Sequence, residues 1–88
     1  MKAILTTIGK DKPGIVALVS TDLAKHKINI LDISQTIMDD NFTMMMLIAI
    51  PESVDFMTLS KELKQMGQDF GLDINIRNEA LYRTMHQL

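Results

Sequence analysis

The segment Gly9-Lys-Asp-Lys-Pro-Gly-Ile-Val gathers two lysines, one carboxylate and two glycines where an apolar run gives way to helical spacing. The chemistry these residue types allow is anion capture. The first N–H groups of a helix lack internal acceptors and carry partial positive charge. A carboxylate binds there when nothing blocks its approach. Lys12 precedes a proline, which disfavours helical geometry at Lys12 itself. Pro13 is therefore expected as the first helical residue, with Gly14 inside the first turn. A glycine there costs the helix about 1 kcal/mol against alanine. Two explanations offset that cost: access of a ligand to the N–H groups of Gly14 and Ile15, or close packing of the helix against a neighbouring backbone. Asp11 is either a turn or cap residue or an acceptor for a ligand ammonium. Lys10 and Lys12 are either solvated surface charges or partners of a ligand carboxylate.

Other chemistries find little to work with. The 88 residues contain no cysteine, which excludes disulfides and thiolate metal sites and suits a reducing compartment. His26 and His86 lie sixty positions apart with no metal-ligand spacing around either, so no metal site and no cofactor are expected. His26 is expected to interact with a helix end. No nucleophile–base set or paired carboxylate with a base stands out, and the chain is not expected to be an enzyme. A net charge of −2 gives no general attraction for nucleic acid. No apolar run is long enough to span a membrane, and no signal-peptide pattern opens the chain. A cytoplasmic location is expected.

These residues need elements to position them. Ala3 to Ile8 reads as a strand, and Ile15, Leu18, Val19 and Leu23 mark a helix. Ile28 to Met38 alternates Leu31, Ile33 and Ile37 with polar residues, a half-buried strand. Phe42 to Ile50 is apolar on both alternating sets, as in a strand covered on both faces. Phe56, Leu59, Leu63, Met66 and Phe70 form the stripe of a second helix, capped by Ser53 or Asp55 and ended by Gly71. Leu72, Ile74 and Ile76 mark a last strand, and Leu81, Met85 and Leu88 suggest a helical tail over residues 79–88. The order βαββαβ over residues 2–78 predicts a single α+β domain. This is a ferredoxin-like sandwich with four antiparallel strands in the order 4-1-3-2 and both helices on one face. Two helices leave the other face of a doubly apolar strand uncovered, and a homodimer is expected to cover it.

Gly9-Lys-Asp-Lys-Pro-Gly-Ile-Val after a first strand, with Lys27-Ile-Asn-Ile-Leu-Asp-Ile-Ser entering a second, resembles the ACT domain, a ligand-sensing fold of amino-acid metabolism. The likeness covers most of the chain and is nearest to stand-alone bacterial ACT proteins akin to the glycine cleavage system regulator. It implies a regulatory protein that binds an amino acid or similar metabolite near a dimer interface, through Lys10, Asp11, Lys12, Gly14, Ile15 and Asn29. Two alternatives remain: a ligand-free dimerisation or protein-interaction module, and an RNA-binding sheet. The latter needs aromatic and basic residues on the central strands, where NFTMMMLIAI has one aromatic and no base.

Overall fold

Residues 1–80 are described by the computed structural model. They form β1 (Lys2–Lys10), α1 (Ile15–Lys25), β2 (Asn29–Met38), β3 (Asn41–Ala49), α2 (Phe56–Asp69) and β4 (Leu72–Asn78). The sheet order is β2-β3-β1-β4 with every neighbouring pair antiparallel, the expected 4-1-3-2 arrangement read from the other edge. Period-2 alternation puts Leu5 of β1, Met44, Met46 and Ile48 of β3 and Ile74 of β4 on the inner face. There they meet Val19 and Leu23 of α1 and Leu59 and Leu63 of α2 in one core. The outer face keeps Ile8 and Met45 exposed, with Ile4 and Leu47 half-buried. Asp55 caps α2 by accepting a hydrogen bond from the Thr58 N–H.

Three local expectations need correction. Pro13 lies in a turn, and α1 begins at Ile15, so Gly14 stands before the helix as its N-cap. Its φ of 87° lies in the left-handed region, where a Cβ is strained. A Cβ built there meets nothing within 4 Å, so backbone conformation, and not close packing, is what asks for glycine. Secondly, β2 is almost wholly exposed and not half-buried. It is an edge strand, and Leu31, Ile33 and Ile37 lie beyond the cover of the helices. Thirdly, β2 slips by one residue between Ile30 and Asp32, a bulge that breaks the simple alternation through Leu31. The expected tail begins with helical geometry at Glu79 and Ala80, and the rest of it, with Leu81, Met85 and Leu88, lies outside the described residues.

Gly67 does pack against a neighbouring backbone. A Cβ there would stand 2.7 Å from the Leu72 carbonyl oxygen and 3.0 Å from Ile74 Cγ1. α2 thus lies directly on β4.

Gly67→Ala is expected to lower stability by about 1–3 kcal/mol through overpacking, although alanine is the better helix former. Gly14→Ala should cost about 1–2 kcal/mol for the left-handed backbone. Gly14→Asn should cost less, because asparagine tolerates that region. Urea denaturation of the three variants separates the two causes.

Candidate functional site

The β1–α1 loop is tied down at both sides. The Asp11 N–H donates to the Asp40 carbonyl at 2.7 Å, and Lys10 Nζ lies 3.4 Å from the Asp40 carboxylate with both side chains exposed. Lys12 Nζ donates to the Phe70 carbonyl at the end of α2. Among the described residues no side chain caps α1, whose first turn holds no acidic residue. The first-turn N–H groups of Ile15, Val16 and Ala17 thus lie beyond the last acceptor of the helix. The Ile15 side chain is turned into the core, so at the loop this residue offers a carboxylate only its backbone N–H.

The fold brings five of the six residues expected at the site to one end of the sheet: Lys10, Asp11, Lys12, Gly14 and Ile15. It does not bring Asn29 to them. Asn29 pairs with Ala49, which pairs with Lys2 at the start of β1, whereas the loop leaves β1 at Lys10. Eight steps of strand separate these levels, about 26 Å at the usual 3.3 Å rise. The reason is topological. A βα crossover returns the chain to the end where it started, so β1 and β2 run parallel and begin at the same end of the sheet, with β3 between them.

Between α1 and α2 lies a cleft of about 500 Å3. Ile15 and Leu18 line it from α1, Met66 and Phe70 from α2, and Leu72 from β4. Lys12 and Gly14 stand at the loop end, and Asp22 and Lys25 stand further down α1.

Sequence reasoning missed a polar cluster beside that lower end. Asp22 on α1 and His26 at its C-cap sit one turn apart, and Glu62 reaches them from α2. His26 Nε2 and Glu62 Oε2 are 2.7 Å apart, and Lys25 Nζ is 3.4 Å from Asp22 and 3.9 Å from Glu62. One ligand atom from each of Asp22, His26 and Glu62 falls within 4.8 Å of the others, a spacing that a divalent cation spans. Lys25 already supplies positive charge there. The i,i+4 spacing of Asp22 and His26 was visible in the chain, but Glu62 arrives only through tertiary packing. The hydrogen bond to His26 is the main cause that holds the Glu62 carboxyl below its ordinary value. Burial, and then the Glu62 carboxylate, push Asp22 up, and its Oδ2 is buried with no hydrogen-bond partner among the described residues. The two shifts run in opposite directions, towards a proton on Asp22 and away from one on Glu62.

A raised folded-state value penalises ionised Asp22, so its contribution grows more favourable as pH falls through that value towards the ordinary 3.8. Glu62 acts oppositely, stabilising at neutral pH and losing that effect in stronger acid. Asp22→Asn is expected to hold or raise stability at neutral pH and to remove the gain on mild acidification. Chemical denaturation of both proteins at neutral and mildly acidic pH measures this.

Comparison with known proteins places this geometry. Residues 2–77 match the model of the ACT domain. A UPF0237 protein of Streptococcus mutans is 48% identical over 88 residues, covering all of both chains. The solved structure of an ACT domain protein from Streptococcus pneumoniae is 48% identical, covers 93% of each chain and superposes with a TM-score of 0.84. A structure assigned as a glycine cleavage system transcriptional repressor is 26% identical, with a TM-score of 0.77 over 86% of this chain and 44% of its own. With a family match that runs through every strand and both helices, the chain belongs to the ACT-domain family.

Proposed function

We propose that this protein is a small cytoplasmic regulatory module. It senses an amino acid or similar small carboxylate at the β1–α1 loop, and it works as a homodimer joined along β2. The observation that carries the ligand half is the start of α1. Gly14 leaves open space in front of an uncapped helix N-terminus, and Lys12 stands beside it. A carboxylate there gains helix N–H donors and an ammonium counter-charge. The regulatory half draws support from the neighbour assigned as a transcriptional repressor. The chain has no cysteine, and no described helix is long and apolar enough to cross a membrane.

The dimer half rests on β2. A ten-residue edge strand with Leu31, Ile33, Ile37 and Met38 exposed is a template for another strand. Antiparallel pairing of two β2 edges inverts one copy. Asn29 of the partner subunit then comes to the end of the sheet that carries the loop, and the sixth expected residue joins the other five. The ligand-free dimerisation reading shares this edge and differs only at the loop. RNA binding gains nothing from the outer face, where exposed Ile8 and Met45 offer neither stacking nor charge.

Sedimentation at micromolar concentration should give a dimer of the 9.9 kDa chain. Ile33→Lys with Ile37→Lys should give a folded monomer. A thermal-shift screen of the amino acids should find a ligand that raises Tm, since binding to the folded form alone stabilises it. Lys12→Ala should remove that shift. A dimer with no shift from any amino acid decides for the ligand-free module.

A further inference from the structure

The cleft between α1 and α2 is larger and more apolar than capture of a bare carboxylate requires. Its volume of about 500 Å3 lies within the range of roughly 300–1,000 Å3 for sites that enclose a small organic molecule. Ile15, Leu18, Met66, Phe70 and Leu72 give it hydrocarbon walls. Phe70, whose backbone carbonyl accepts a hydrogen bond from the Lys12 ammonium, remains 48% exposed. Charge is placed asymmetrically. Lys12 stands alone at the loop end, whereas the far end holds Asp22 already paired with Lys25. The Lys12 ammonium gives one of its three donors to the Phe70 carbonyl and keeps two for an anion at the same rim.

We propose that this cleft takes the hydrocarbon body of the ligand. The ligand class is then a monocarboxylate bearing a bulky apolar group, its head at Lys12 and its chain between the two helices. This rests on the anion-binding role of Lys12 stated above and adds a selectivity which that role alone does not contain. A site of helix N–H groups and one lysine binds acetate as well as any longer acid. A site continued by the cleft binds longer acids better, by about fourfold for each methylene it buries.

The test is calorimetric titration of the full chain with acetate, butyrate, hexanoate and octanoate, with hexanol as the headless control. Affinity is expected to climb along the series, by about fifteenfold from butyrate to hexanoate at the per-methylene increment, with hexanol at least tenfold weaker than hexanoate. Thr21 is an exposed residue on the cleft wall. Thr21→Trp, with Thr21→Phe as a second filling variant, should abolish the gain from chain length and leave acetate binding and Tm unchanged. A flat series, indifferent to both filling variants but lost in Lys12→Ala, overturns the cleft proposal and leaves the anion site standing. Loss of all Lys12-dependent binding overturns both. A shift in the dimer constant on filling the cleft, with no carboxylate bound, makes the cleft a subunit contact and overturns the proposal.

Discussion

A side chain at position 67 would put its Cβ 2.7 Å from the Leu72 carbonyl oxygen, and the layout of the helix layer depends on there being none. Because α2 can rest its backbone on β4, Leu59 and Leu63 reach fully into the core. The end of α2 is then delivered beside the β1–α1 loop, where Lys12 meets Phe70. The close seat of α2 on β4 also keeps it away from α1. The two helices are joined by polar ties, Lys12 to Phe70 near one end and His26 to Glu62 towards the other, and the apolar cleft opens between. A helix layer packed side by side would have closed that space.

Isoleucine and leucine dominate the core, but the centre of the sheet uses methionine. Met44 and Met46 are fully buried on β3, between its neighbours β1 and β2. Unbranched thioether side chains adapt to irregular space, and here they face two helices that do not fill the layer between them. Met45, from the same run, points to the outer face and is partly exposed. One short run of a single residue type thus serves two environments, separated only by the pleat of the strand.

Much of the architecture was legible because it rests on period and punctuation. A run apolar on both sets marked β3, alternation marked β4, the stripe from Phe56 to Phe70 marked α2, and Ser53 or Asp55 and Gly71 marked its limits. The strand order followed from the βαββαβ sequence of elements. What could not be read were features set by position in space. β2 carries an alternating pattern that suits a covered strand, yet it lies at an edge, beyond the reach of the helices. Gly14 was read from the rule that places proline first in a helix. The chain instead makes a turn through Pro13 and needs a left-handed residue before Ile15. Asn29 was grouped with the loop on resemblance, and parallel β1 and β2 put it at the far end of the same chain. Glu62 is separated from Asp22 and His26 by two strands, so no spacing rule along the chain could join them.

The Asp39–Asp40 turn between β2 and β3 looks like the natural place to cut or lengthen this chain. It is short, exposed and polar, and Asp39 sits at a positive φ of 58°. Such tips ordinarily tolerate insertion. Here the Asp40 carbonyl holds the Asp11 N–H and its carboxylate faces Lys10, so the turn is the outer wall of the β1–α1 loop. A permuted terminus or an inserted tag at this tip would leave the sheet core intact and release the loop from its anchor. For grafting, labelling or circular permutation, the least structured connection by appearance is among the least neutral in effect.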